Sequence, residues 1–479
     1  MANSFAKVGG IVSVLAVFIA ILMQRKGGHQ DLNHEIPNIL QSLQKAEKKV
    51  EVDASTRVAV GFGGCMDVFV DAIDLLDAMS IKPPCEPEHY NTIQNEKELA
   101  KGFLYFFQYG AAAERFIGNT TLFDNMVDTA RSLKGFRTAM GGNAPVMANR
   151  FAMEGADVLL AVQSGPHFKK LLKPGVKMVG SDVDHSDIHL IMEYKTGEKW
   201  EQHTSPRANR YIVHSDHFNP TIQTLEPFME AYKDFKPSLL VVGGLQMLDN
   251  FPFRSGERQA RFDVLQNLLI DAASRKTLVH FEFASFVEES LVSDLMEYVL
   301  PYSDSVGMNE QELPNLLSFL KFNNITMISE TYPRVATVLD QMRQVYQLLH
   351  KAHNKVSRLH IHTLAFQAIM TKQSSAWKNT MSAAAHASLT ANRHICGTKF
   401  VDIAKSKVLL DESFSTTSDA KAASRVPFDP KRPVSCWEED YGDGEMVLIC
   451  ISPNLVCTDV YQTAGGGDNI SSAGLAYQI

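Results

Sequence analysis

Gly465-Gly466-Gly467-Asp468 follows the apolar run Asn454–Val460, and a helix is expected to open there, over Asp468–Ala476. Three consecutive glycines let the backbone turn its N–H groups inward, and a helix N-terminus adds its positive end, so the spot suits a phosphoryl group. Asp468, in the first turn, is placed to accept the proton of an attacking hydroxyl. A flexible turn closed by an Asp cap would look the same in isolation.

Other segments carry complementary chemistry. Asn309-Glu310-Gln311-Glu312 starts a helix after the strand-like Ser303–Met308, and its first and last members, three apart, project to one side of the first turn, where a carboxylate can hold Mg²⁺ directly or through water. An acidic helix start needs no metal, because the helix dipole favours it. Glu282 closes the apolar strand Leu278–Phe283, at the end of a strand where open α/β sheets place ligands. Asp67 follows the strand Val58–Phe62 through a glycine-containing turn and suits sugar hydroxyls. Gly141-Gly142-Asn143 brings backbone close to a ligand and adds an amide that both donates and accepts. Arg207 and Arg210, in Ser-Pro-Arg-Ala-Asn-Arg, suit phosphate oxygens. Each of these also has an ordinary structural reading as a cap, turn or solvated charge.

The elements that must position them alternate. Strands are predicted at Val58–Phe62, Val158–Val162, Leu239–Val242, Leu278–Phe283, Arg358–Ile361 and Met446–Ile451, with helices near 144–154, 257–274, 287–299, 309–320, 335–352 and 376–394. This is an α/β pattern with a mostly parallel sheet. Residues 70–135, mostly helical, and 187–213, alternating like antiparallel strands, interrupt it and suit a smaller lid. Residues 27–55 read as a linker with a surface helix near Ile36–Val50, and 411–434 as a polar surface loop.

The chain has 479 residues, 45% hydrophobic and 21% charged, with a net charge of -8, so it folds, offers no basic face for nucleic acid, and points to a small-molecule partner. Its six cysteines contain no CxxC, which excludes an ordinary structural zinc site and leaves room for one bridge within 396–457. Gly9 to Met23 carry no charge and are flanked by Lys7, Arg25 and Lys26. A helix of that length spans ~22 Å, short of the ~30 Å hydrocarbon core. Residues 1–26 thus suit a cleaved signal or a signal anchor, the sole membrane contact expected. Of the sequons at Asn119, Asn324 and Asn469, the last adjoins Asp468, which favours an endoplasmic-reticulum anchor with a cytosol-facing body.

Taken in order, Asp67, Gly141–Asn143, Glu282, Asn309/Glu312 and Gly465–Asp468 resemble the ADP-dependent glucokinase family of the ribokinase-like superfold. The segments GGNAPVMANR (141–150), SPRANRYIVHSD (205–216), GLQM (244–247), HFEFAS (280–285), MNEQEL (308–313) and GGGDNIS (465–471) look like its animal members. The resemblance implies one kinase domain over 56–479, with a large α/β domain and an α+β lid. It implies transfer of the β-phosphoryl group of MgADP to the 6-hydroxyl of D-glucose; separately, nothing in the sequence reports an interface, so a monomer is expected. Asp468 would be the base and metal-facing, the N–H groups of Gly465, Gly466, Gly467 and Asp468 the anion hole, and Glu282 and Glu312 would hold Mg²⁺. Asn309 and His362 would border the nucleotide. Asp67, Glu114, Gly142, Asn143 and His189 would surround the sugar, with Arg207 nearby. Gly63 and Gly64 replace an expected Asn-containing stretch, Gly466 a larger apolar residue and Asn469 a small one. An ATP-dependent sugar kinase, an ADP-dependent phosphofructokinase and a non-catalytic nucleotide- or sugar-binding protein remain as alternatives.

Overall fold

The computed structural model describes residues 32–479, apart from 181–182, 327–329, 331, 353–354 and 443, so the apolar N-terminal segment lies outside the described residues. Ten strands form the main sheet. Seven run parallel: Val176–Val179, Asp157–Ala161, Arg57–Gly61, Leu239–Val242, Leu278–Glu282, Ser305–Asn309 and Arg358–His362. Antiparallel Phe366–Lys372, Met446–Pro453 and Ser435–Asp440 complete it. Strands flanked by helices are covered on their faces, which is why Val58–Val60 and Leu239–Val242 are continuous buried apolar runs.

A second, six-stranded sheet takes its strands from 65–141 and 188–214, in the order Thr92–Ile93, Ala113–Ile117, Asn209–His214, Ile188–Tyr194, Cys65–Asp71, Arg137–Gly141. The inserted segments therefore extend a few residues beyond 70–135 and 187–213, and the first contains strands as well as the helices Ala72–Ala78, Glu96–Phe107 and Thr120–Ser132. Leu99, Phe103, Phe107, Trp200 and Tyr211 build a core of its own, separate from that of the main sheet.

Three expectations change. The helix Ile36–Glu47 is docked rather than superficial: Ile36, Ile39 and Leu43 enter the main core, and Glu47 receives Arg393 Nη1 at 2.6 Å and contacts His386 Nδ1 at 2.7 Å. Within 411–434, Ser413–Ser415 pairs with Arg425–Pro427 and Phe414 and Phe428 are buried in the core, so the segment is a folded hairpin. Two bridges form where one was expected, Cys396–Cys457 and Cys436–Cys450, leaving Cys65 and Cys85 as thiols. No helix among the described residues is long and apolar enough to cross a membrane.

Candidate active site

Glu282, Asn309 and His362 are the last residues of three adjacent parallel strands, and Asn309 pairs with His362 in register. In the second sheet Asp67, His189 and His214 form a row across three neighbouring strands. Between the two sheets lies a cleft of about 410 Å³, lined by Glu114, Asn143, Arg207, Glu282, Asn309, Glu312, His362, Gly465 to Asp468 and, unanticipated, Gln246. The elements converge on it because parallel strands all present their C-terminal ends to one edge.

At the head of the cleft the last helix begins two residues earlier than expected, at Gly466, with Gly465 in the left-handed region at φ 68°. The Gly466 N–H turns back to Thr463 O at 3.3 Å, which leaves the N–H groups of Gly465, Gly467 and Asp468 as the candidate phosphoryl-facing donors. Asn143, at the start of the helix Asn143–Met153, donates from Nδ2 to Asp468 Oδ1 at 2.8 Å. Burial and then the charge of Glu282 push Asp468 up to about 7, against the pull of that hydrogen bond. Asn469 is buried, donating to Gly465 O at 2.9 Å and accepting from Arg150 Nε at 2.9 Å, so the folded chain has no room for a glycan there.

The other two carboxylates differ from each other. Glu282 accepts from Ser471 Oγ at 2.9 Å and from His280 Nε2 at 2.8 Å, while His280 Nδ1 meets Ser305 Oγ at 2.8 Å. His362 Nε2 lies 3.5 Å from its Oε1. Burial would raise Glu282, yet these two imidazoles hold it down at about 2. Glu312 makes a reciprocal cap: Asn309 Oδ1 accepts from Glu312 N at 2.9 Å while the Glu312 carboxylate accepts from Asn309 N and Nδ2 at 2.8 and 2.7 Å. Burial lifts it to about 8, with Glu282 adding to the effect. Two buried carboxyls forced towards the protonated form beside an ionised third are a donor set short of positive charge, which fits a hard divalent cation. Glu282, Glu312 and Asp468 do not form a compact trio: among the described residues, ligand atoms within 4.8 Å of one another occur only in Cys65–Asp67–His189 and His189–His214–Asp216.

On the second sheet Glu114 lines the cleft, and Asp67 and His189 are buried beside it. The Asp67 carboxylate packs where a Cβ on Gly141 would sit, 1.9 Å from Oδ1, which demands glycine at 141. His189 reaches Glu114 Oε1 from Nδ1 at 3.4 Å and Asp216 from Nε2 at 3.1 Å. Burial would lower His189, but Asp216, Glu114 and Asp67 outweigh it and raise the ring to about 10. Asp216 also receives Asn219 Nδ2 at 2.6 Å and lies 3.3 Å from His214 Nδ1. Where an Asn-containing stretch was expected, the Gly64 N–H donates to Asn219 Oδ1 at 3.0 Å. Arg207 lines the cleft, pairs with Glu310 at 3.1 Å and donates to Gly110 O at 2.9 Å, joining the second sheet's segments to the loop after Asn309.

Sequence reasoning passed over Gln246, Asp216 and His280. Their signals were present but unspecific: Gln246 follows the apolar strand Leu239–Val242 as Glu282 ends the next, and Asp216 stands two after His214.

Residues 56–477 match the conserved region of ADP-specific phosphofructokinase/glucokinase. The chain is 32% identical to the ADP-dependent glucokinase of Bos taurus, over 88% of this chain and 84% of that one. It is 29% identical to the probable ADP-dependent glucokinase of Caenorhabditis elegans, over 88% and 85%. A solved ADP-dependent kinase complex with fructose-6-phosphate and ADPβS shares the fold at a TM-score of 0.65 and 16% identity, over 92% of this chain and 97% of that one. Those proportions, with the strand-end carboxylates and the Gly465–Asp468 helix start, give the identification: the chain belongs to the ADP-specific phosphofructokinase/glucokinase family.

Proposed function

We propose that the chain transfers the β-phosphoryl group of ADP to the 6-hydroxyl of D-glucose, giving glucose 6-phosphate and AMP. The relatives named as glucokinases support the donor and acceptor. The observation that carries glucose over a phosphorylated sugar is the acidic lining opposite Asp468: Glu114 faces the cleft, and its nearest cation, His189, is already shared with Asp216. A phosphate on the acceptor beside Glu114 would be repelled by that carboxylate.

Asp468, held by Asn143, takes the proton as the sugar oxygen attacks; the new O–P bond forms as the bond to the AMP oxygen breaks, and the proton leaves to solvent after product release. The N–H groups of Gly465, Gly467 and Asp468 are left to face the transferring group. Asn309 and His362 border the nucleotide. Glu282 and Glu312, partly through water, with Asp468 nearby, would hold Mg²⁺, which neutralises charge on the diphosphate oxygens. The Arg207–Glu310 pair ties the lid segments to the main sheet and helps exclude water, the competing acceptor.

A coupled glucose 6-phosphate assay with ADP and with ATP, run on glucose and on fructose 6-phosphate, tests this. Turnover of glucose with ADP is expected. Activity with ATP alone, or faster turnover of fructose 6-phosphate, overturns it.

We also propose that residues 1–26 direct the chain to the endoplasmic reticulum. The bridges Cys396–Cys457 and Cys436–Cys450 support a luminal body over a cytosol-facing one, since disulfides persist in oxidising compartments. Buried Asn469 no longer argues otherwise. Glycosidase sensitivity of the expressed protein, through Asn119 or Asn324, is the test, and a resistant, reduced protein would reject the lumen.

A further inference from the structure

Gln246 is 7% exposed and lines the cleft. It lies in the short turn Leu245–Leu248 after the strand Leu239–Val242, and the preceding glycines lock the turn in place: Gly243 N donates to Gly61 O at 2.8 Å and Phe62 N donates to Gly243 O at 2.8 Å. Its amide nitrogen is committed twice. Nε2 donates to Asn143 Oδ1 at 2.8 Å and points to Glu114 Oε2 at 3.5 Å. A carboxylate only accepts, so the neighbouring Glu114 requires the amide to present nitrogen on that side. The carbonyl oxygen, Oε1, is then left buried with no hydrogen-bond partner among the described residues. An orphaned buried acceptor costs free energy unless a ligand supplies a donor.

Gln246 also stands between the two ends of the acceptor site. Through Asn143 it reaches Asp468, and through Glu114 it reaches His189. By donating to Asn143 Oδ1 it forces Asn143 to turn its Nδ2 to Asp468.

Resting on the glucokinase reading above, we propose that Gln246 is a specificity-determining residue of the acceptor site: Oε1 accepts a hydrogen bond from one ring hydroxyl of the sugar, while Nε2 positions Asn143 against the catalytic base. The first role is specific to one hydroxyl, and the second affects every acceptor alike. A site built to bond a hydroxyl discriminates strongly against an analogue that lacks it.

The test is kcat/KM on glucose and on each of its ring-deoxy analogues, with ADP, for the wild type, Gln246→Ala and the similarly sized Gln246→Met, after confirming cooperative thermal unfolding of both variants. The wild type is expected to lose about tenfold or more on at least one analogue. In both variants that particular ratio collapses to within about twofold of unity, while the ratios for the other analogues stay as in the wild type and kcat falls on all of them. Unchanged ratios throughout in an active pair of variants overturn the assignment of Gln246 alone. A wild type that turns over no glucose with ADP overturns the glucokinase reading, and this inference with it.

Discussion

Asn143 Nδ2 donates to Asp468 Oδ1 at 2.8 Å, joining the residue that follows the second sheet to a residue of the C-terminal helix 325 positions later. One bond thus links the return of the chain from the inserted segments to the base of the transfer reaction. It also stabilises the ionised carboxyl that burial works to protonate.

Asp468→Asn keeps the shape and removes the base. A fall in kcat of about 10²–10⁴ is expected, with glucose binding by calorimetry retained. Turnover at the wild-type rate would remove Asp468 from this role.

The three glycines before Asp468 are not equivalent. Gly465 has φ 68°, so Gly465→Ala is expected to cost about 1–2 kcal/mol. A Cβ at Gly467 would stand 2.8 Å from His362 Cε1, whereas one at Gly466 meets only the flexible end of Ile395 at 3.3 Å. Gly466→Ala is therefore predicted to leave activity within about threefold of wild type. Gly467→Ala should lower it further. Steady-state kinetics and thermal melts of the three variants check this order.

Asp216 holds His189 in its charged form, with a ring pKa of about 10, so His189 itself should add no pH dependence to glucose KM between pH 6 and 8 in the wild type. Asp216→Asn removes the carboxylate that opposes burial most strongly, and the ring pKa falls. The charge is then lost as pH rises, and glucose KM is predicted to climb with pH while kcat changes less. A flat KM in the variant would separate His189 from sugar binding.

Glu47 shows how the docked N-terminal helix contributes. Burial alone would raise its pKa, but the hydrogen bonds from His386 and Arg393 lower it from 4.5 to about 2. A depressed folded-state pKa stabilises above pH 4.5, and that contribution disappears as the pH falls towards 2. Glu47→Gln should lower the melting temperature at pH 6 and reduce its dependence on acidification below pH 4.5. Identical melting curves for the two proteins across this range would show that the helix is held by its apolar face alone.

The sequence by itself determined seven of the ten strands of the main sheet, missing Val176–Val179, Phe366–Lys372 and Ser435–Asp440, and the polar residues at its edge. Leu278–Glu282 and Arg358–His362 are buried runs closed by a polar side chain, and this local pattern survives without knowledge of neighbours. The Gly465–Asp468 helix start was legible for the same reason, down to the residue in its first turn. Only the tertiary structure decided how the carboxylates differ. Glu282 stays ionised because His280 and His362 reach it, and Glu312 does not because its partner Asn309 offers hydrogen bonds without charge, while Glu282 repels it. It also paired Arg207 with Glu310, joined Asp67, His189 and His214 in one row of the second sheet, and brought Gln246 between Asn143 and Glu114. The helix Ile36–Glu47 and the two disulfides follow the same rule. Burial, ion pairing and cross-linking depend on which distant residues meet, and residue type and spacing along the chain do not specify that.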